Sequence, residues 1–427
     1  MSRRPSLTGS SATADQVAVR RHNLSLVLGH LRRHGDRSRA RVAEETGLNK
    51  ATVSSLVAEL VERGLVSEGE AERGGVGRPA QAVGLDGRHL VALGAEINID
   101  YLSVLALDLR GELVAERRVA LDTAGMEPTR VLGELARVVR EVLDGLDGRS
   151  RPVGLTVAVP GLVETATGTV FDAPNLRWQR TAAVAQLCAD LDAPDYPVTL
   201  DNEANLAAVA ELAARADAPP DDLLLLTGGA GVGGGMVAGG RLLRGGQGFA
   251  GEVGHMRVER AGTRCGCGRT GCWETVVGLH TLLRLAADEG DPVRDPARDL
   301  VQRLDELRGR AAAGDTRTLA ALTEVADWLT VGAGILVNVL NPQVLVLGGY
   351  FAALGPWFAE ALEAGLQQEV FAPGSGGCRV EMSTLGFSAA VRGGALQALS
   401  VVFDDPTRAG LAPPAPTTDD LATGATR

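Results

Sequence analysis

One histidine and three cysteines crowd into the segment 255–272: His255, Cys265, Cys267 and Cys272. Together they offer one imidazole and three thiolates, a full tetrahedral ligand set for zinc. Gly266, Gly268 and Gly271 lie between the cysteines and let the backbone bend tightly enough for three sulfurs to converge. Four protein ligands would fill the metal's shell, so the expected zinc is structural, one per chain, with no open position for an activated water. The rival readings are a redox dithiol and uncoordinated buried thiols; both explain C-x-C with a third cysteine and a nearby histidine poorly. Cys188 and Cys378 stand alone and read as small buried hydrophobes.

Two acids flank this cluster, Glu252 and Glu274. A carboxylate accepts hydrogen bonds without donating, so acids held rigidly beside a metal knot suit a polyhydroxyl ligand. They could equally be surface acids or partners of the metal ligands.

The elements that must carry these groups alternate between apolar runs and helical patterns. Strands are expected over 90–99, 103–108 and on through Val119, then a helix over 128–146 with proline in its first turn. Further strands fall at Val153–Val159, Val198–Leu200, Leu223–Thr227 and Val344–Leu347. Each is followed by a candidate ligand loop: Pro160-Gly161, Asp201-Asn202-Glu203-Ala204-Asn205, the glycine run 228–235, and Gly348-Gly349. Turns of this kind just after buried strands indicate an α/β body that binds ligand at its strand ends. Residues 290–318 read as a charged helical excursion.

Ahead of the body lies a different pattern. Leu24, Leu28 and Leu31 have helical spacing, Ser38 can cap a short helix over 39–45, and Asn49 can cap a third with Val53, Leu56, Val57 and Leu60 on one face. Thr46-Gly47-Leu48-Asn49 is the turn between the last two, and Gly64 ends the third. A strand at 65–68, a glycine-rich turn at 72–79 and a strand at 81–85 follow. Three helices and a β-wing make a winged helix-turn-helix. A protein-docking winged helix has the same layout. The candidate DNA contacts are Arg39, Asn49, Lys50, Thr52, Ser54 and Ser55 around the third helix, with Arg73 and Arg78 at the wing tip.

Charge agrees with that division. The 427-residue chain has a formal charge of −11, yet its first ninety residues carry fourteen basic against ten acidic groups, so the remainder holds the whole acidic excess. A basic head on an acidic body confines polyanion contact to the head. No uninterrupted apolar run of membrane-spanning length is apparent, the N-terminus lacks the apolar core of a secretory signal, and cysteine use suggests a reducing cytoplasm.

Residues 20–400 resemble the ROK family (repressor, open reading frame, kinase), in particular its regulators of the NagC and XylR type. The matching stretches are Val159-Pro160-Gly161, Ala173-Pro174-Asn175-Leu176-Arg177-Trp178, Asn202-Glu203-Ala204-Asn205, Gly251-Glu252-Val253-Gly254-His255 with the C-x-C-G-x-x-G-C segment, and Asn341-Pro342 before Gly348-Gly349. The resemblance implies a two-lobed, actin-like sugar-kinase body of the ribonuclease H-like type behind the winged helix. It also implies a cleft that takes a sugar or sugar phosphate through Gly161, Asn175, Asn202, Glu203, Glu252, His255 and Glu274. The expected organisation is a mobile arm (1–18), the winged helix (19–88), the body (89–403) and a disordered tail (404–427).

Two departures bear on activity. Kinases of the family carry an Asp-x-Gly-Gly-Thr turn that grips ATP phosphates, where this chain reads Glu96-Ile97-Asn98-Ile99-Asp100. Side chains at 98 and 99 crowd the close backbone approach that a phosphate requires. The kinase's catalytic aspartate aligns with Glu203, whose extra methylene displaces the carboxylate. The expected function is therefore a sugar-responsive DNA-binding regulator, most often a repressor, acting on a palindromic operator as a homodimer or homotetramer. The alternative is an active sugar kinase with an appended head, for which the intact glycine loop 228–235 speaks.

Overall fold

The computed structural model describes residues 16–71 and 81–409, apart from Asp147, Arg149 and Asp217. The wing arginines Arg73 and Arg78 fall outside the described residues. The chain divides into two compact units, one comprising the head up to Leu90 together with the last segment from Ser400, the other running from Val91 to Leu399.

In the head, α1 (Gln16–His34) precedes a short strand β1 (Arg37–Ser38), α2 (Arg39–Thr46) and α3 (Lys50–Glu62). Ser38 accepts from the Arg41 amide and Asn49 from the Thr52 amide, so both expected caps form, each worth about 1 kcal/mol. Leu24, Val27, Leu28, Leu31, Val53, Leu56, Val57 and Leu60 make the core between them. β2 (Val66–Ala71) and β3 (Gln81–Leu85) pair antiparallel, and β1 adds to β3. α1 begins at Gln16, inside the stretch expected to be a mobile arm.

The far end of the chain also departs from expectation. Residues 404–409, read as the start of a disordered tail, close a helix and form a 3-10 turn (Pro406–Ala409) that packs with α1. Arg32 stacks over the Phe403 ring at 4.5 Å, and Arg63 donates to the Thr407 carbonyl at 3.2 Å. Those contacts, with Pro406 and Ala409 buried, hold the segment to the head.

The body is built twice on one plan. β4 (Leu90–Ile97), β5 (Tyr101–Asp108) and β6 (Leu113–Ala120) form an antiparallel meander. α4 (Pro128–Asp144) then leads to β7 (Arg151–Val159), and a small sheet of β8 (Leu162–Glu164), β9 (Thr169–Ala173) and β10 (Trp178–Thr181) follows. α5 (Ala183–Asp190) reaches β11 (Val198–Asn202), parallel to β7, giving the order β11-β7-β4-β5-β6. α6 (Glu203–Ala213) crosses to the second lobe.

There, β12 (Leu223–Gly228), β13 (Val232–Ala238) and β14 (Arg241–Leu242) repeat the meander. α7 (Glu274–Val277), α8 (Leu279–Ala286), α9 (Leu300–Ala312) and α10 (Thr316–Leu340) lead to β15 (Val344–Gly349). α11 (Tyr350–Ala353) and α12 (Gly355–Glu369) precede β16 (Arg379–Met382), and the order β14-β13-β12-β15-β16 mirrors the first sheet. α13 (Ala389–Asp404) closes the chain.

Each lobe has its own core. α4 buries Val131, Leu132, Leu135, Val138, Val139 and Val142 against the first sheet, and α10 and α12 pack Leu329, Leu336, Phe358 and Leu362 behind the second. Among the described residues, two helical stretches, Thr316–Leu340 and Gly386–Asp404, are long and apolar enough to cross a membrane by length and composition, although charged residues interrupt both. In each, half or more of the apolar window is packed inside the protein, which accounts for its composition.

Candidate ligand cavity, metal centre and DNA-facing surface

The ends of β7 and β11 deliver Gly161 and Asn202 to the cleft between the two lobes of the body, and the β12–β13 turn delivers Gly231 from the other side. A cavity of about 520 Å³ opens there. All seven residues named as ligand contacts line it: Gly161, Asn175, Asn202, Glu203, Glu252, His255 and Glu274. Their parts differ, however. Asn202 is committed to the scaffold: its Oδ1 caps α6 through the amides of Ala204 and Asn205, and its Nδ2 donates to the Gly161 carbonyl at 2.9 Å. Glu203, the first residue of α6, has no such partner among the described residues.

The cavity is acidic. Burial raises the Glu203 carboxyl to about 8, with the negative charges of Glu96 and Glu252 adding to it. Burial also raises Glu252, where His255 works in the opposite direction and Glu274 and Asp172 reinforce the rise. No lysine or arginine is among the lining residues. Such a surface offers acceptors, and near-neutral pH a protonated carboxyl donor, to sugar hydroxyls.

His255, Cys265, Cys267 and Cys272 converge at one edge, their ligand atoms all within 4.8 Å of one another. Cys265 Sγ lies 3.7 Å from His255 Nδ1, and Cys267 Sγ lies 3.7 Å from Cys272 Sγ. A tetrahedral zinc site with metal–sulfur bonds of about 2.3 Å sets sulfurs about 3.8 Å apart and a sulfur about 3.6 Å from the imidazole nitrogen. The residues therefore fit the metal. Gly271, at φ +77°, makes the knot feasible, because a Cβ there would lie 1.8 Å from the Glu259 carbonyl oxygen. His255 Nδ1 faces the sulfurs, whereas Nε2 lies 3.9 Å from Glu252 Oε2 on the cavity side. Glu274 touches both sites: it lines the cavity and accepts from the Cys265 thiol at 2.6 Å. Cys188 and Cys378, expected to be buried, are half-buried and stand apart from the cluster.

Sequence reading missed the brace behind Glu203. Asp201, 1% exposed at its side chain, takes two hydrogen bonds from Arg244, at 2.9 and 2.6 Å. The pair ties the end of β11 in the first lobe to the loop after β14 in the second.

In the head, Lys50, Ser54 and Ser55 are exposed on α3, and Thr52 is half-buried. Asn49 spends its side-chain oxygen on the helix cap. Arg39 is also engaged: its Nε donates to Glu68 at 2.9 Å and its Nη1 to the Ser54 carbonyl at 3.4 Å, pinning α2 to the wing strand and to α3.

A two-lobed kinase-type body with a duplicated βββ-plus-parallel-strand plan, an acidic cleft, a Cys3His knot and a winged-helix head define the class. The chain belongs to the ROK family, whose model matches residues 92–400, and a MarR family model matches residues 25–75. It is 27% identical over 394 residues to the xylose repressor of Bacillus subtilis (strain 168), covering 92% of this chain and 97% of that protein. Among solved structures it is similar to a ROK family transcriptional regulator described as a homologue of the E. coli MLC protein (TM-score 0.72, 22% identity, 92% of this chain and 99% of that one). It is also similar to a ROK family glucokinase from Streptomyces griseus in complex with glucose and AMPPNP (TM-score 0.62, 24% identity, 73% of this chain and 99% of that one).

Proposed function

We propose that this chain is a cytoplasmic DNA-binding repressor of sugar metabolism whose kinase-type body senses a sugar and no longer transfers phosphate. The observation that carries the reading is the turn after β4. Asn98 and Ile99 stand where family kinases have paired glycines, and the Asn98 side chain is tied to Glu96 at 3.1 Å. The head supplies the output, and the name of the Bacillus subtilis relative supports a sugar as the input.

His255, Cys265, Cys267 and Cys272 would hold one zinc ion, which supplies a tetrahedral cross-link and no reactive position. The chain's own groups do the sensing. Glu203, Glu252 and Glu274 pair with hydroxyls, Asn202 fixes Gly161 and the start of α6, and Asn175 closes the wall. Sugar binding stabilises one arrangement of the lobes over another, and the shift can be no larger than the ligand's differential affinity for the two. In a homodimer or homotetramer this changes whether two copies of α3 match palindromic half-sites about one helical turn apart.

Electrophoretic shift against duplex from the chain's own upstream region, with and without a panel of aldoses, tests the reading. A specific shift altered by one sugar is expected. Brisk ATP-dependent sugar phosphorylation by the full chain with no specific duplex binding would establish the kinase reading instead.

A further inference from the structure

Just outside the acidic cavity stands an aromatic pair that is not part of its lining. Phe171 on β9 lies two residues before Ala173, and Phe249, in the loop after β14, lies two residues before Gly251; Ala173 and Gly251 both line the cavity. The two rings come from opposite lobes of the body, with centres 6.2 Å apart and planes tilted by 35°. Their supports are tightly built. A Cβ on Gly161 would lie 2.5 Å from the Asp172 carbonyl oxygen, and one on Gly251 would lie 2.2 Å from that of Gly234. The Ala250 amide donates to the Arg244 carbonyl at 3.1 Å, so Phe249 stands on a closed loop that the Arg244–Asp201 brace anchors.

Phe171 nevertheless stays 41% exposed. The guanidinium carbon of Arg180 lies over it, 5.3 Å from the ring centre. Arg180 falls between Gln179, paired with Asp172, and Thr181, paired with Val170, and it has φ +47°. That left-handed backbone is disfavoured for a residue with a Cβ, and the ladder is interrupted where the arginine stands opposite Phe171. Arg180 is exposed, and among the described residues no acceptor meets its guanidinium.

An exposed aromatic face beside uncommitted guanidinium donors suits a sugar ring. The negative π-face receives the C–H side of the ring, and the N–H groups donate to its hydroxyls. The cavity itself has no phenylalanine, tyrosine or tryptophan among its lining residues, so its acids serve hydroxyls and the stacking surface lies beyond the rim.

We propose that Phe171, Phe249 and Arg180 form a subsite for a second ring, and that the ligand of this chain is a disaccharide or an aryl glycoside rather than a free monosaccharide. The inference rests on the reading of the cavity as a sugar site and extends that site outward. Because the two phenylalanines belong to different lobes, a ring lying across both couples ligand length to lobe arrangement. An extended ligand shifts that balance further than a short one, by its extra differential affinity.

Calorimetric titration of the full, zinc-loaded chain compares D-xylose, D-glucose and N-acetyl-D-glucosamine as methyl glycosides, as phenyl glycosides of both anomers, and in α- and β-linked disaccharides. The extended form of one sugar should bind about tenfold more tightly than its methyl glycoside, the scale of one aromatic contact. Phe171→Ala should erase that gain while changing methyl-glycoside affinity less than about twofold, and Phe171→Trp should keep it. Arg180→Ala should reduce a disaccharide's gain and spare a phenyl glycoside's, since only the disaccharide brings hydroxyls to the guanidinium. Phe371→Ala, at an exposed ring beyond α12, should alter neither. If Phe171→Ala does not fold, Phe249→Ala decides. Equal binding of short and extended forms, a gain that survives the phenylalanine variants, or a loss shared equally by both forms would overturn the subsite and leave sugar binding in place. No binding by any form would overturn both the subsite and the sugar-sensing reading.

Discussion

Asp201 and Arg244 meet through a two-pronged ion pair that joins the lobes directly behind the cavity. Asp201 also accepts from the amide of Asn202, so the residue that caps α6 is itself held by the brace. Cavity geometry thus depends on a contact between segments 43 residues apart.

Arg244→Ala strands the Asp201 carboxylate in the interior. A loss of about 3 kcal/mol is expected in urea unfolding, at the low end for a buried pair because the Arg244 side chain keeps 37% of its exposure. Arg244→Lys should recover only part of it, since an ammonium cannot reproduce the forked geometry. Equal stability of all three chains would show that the brace contributes nothing.

Elemental analysis should find one zinc per chain. The double variant Cys265→Ser, Cys267→Ser should lose it, melt at lower temperature and lose sugar response. A variant that kept its folding and its response would remove the cluster from any structural role.

Lys50→Ala should weaken duplex binding and lower the slope of log affinity against log salt by about one unit. Asn49→Ala should cost about 1 kcal/mol of head stability through loss of the α3 cap, a loss that melting without DNA would detect. Arg78→Ala, at the wing tip expected from the sequence, should likewise weaken binding and flatten the salt dependence; an unchanged slope would argue against phosphate or groove contact by that residue.

Glu203 gives a pH signature. Burial, with Glu96 and Glu252, raises its carboxyl from the usual 4.5 to about 8, so the folded chain holds a proton that the unfolded chain has released. This stabilising contribution is complete below about pH 4.5, declines as pH climbs, and is gone above about pH 8. Melting from pH 5 to 9 should show that decline in the native chain and a flatter profile in Glu203→Gln. Superimposable profiles would remove Glu203 as its source.

The head and the metal cluster were legible because their signals are local: a capping residue one turn from its amide, and sulfurs within a few residues of each other. Ser38, Asn49 and the four metal-ligand candidates carry their geometry in their spacing. The brace and the aromatic pair were not, since the partners of Asp201 and Phe171 are set by how strands and loops align. Nor could spacing reveal that Asn202 would turn its side chain onto Gly161, that Glu68 would occupy Arg39, or that residues 404–409 would fold with the head. The duplicated sheet order was hidden for another reason. Each lobe fills the same plan with connections of different length, from the single helix α4 to the long excursion through α7–α10.

Under the proposed function, the turn after β4 makes any return to phosphotransfer a matter of several simultaneous changes. Asn98 supplies a donor to Glu96, an acceptor to the Asp100 amide, and a carbonyl that Thr123 uses. Replacing it with glycine would restore space for a phosphate while unpinning an acid that repels one. Intermediates on that path would lose stability before gaining a substrate, an epistatic ratchet that favours retention of the proposed sensor.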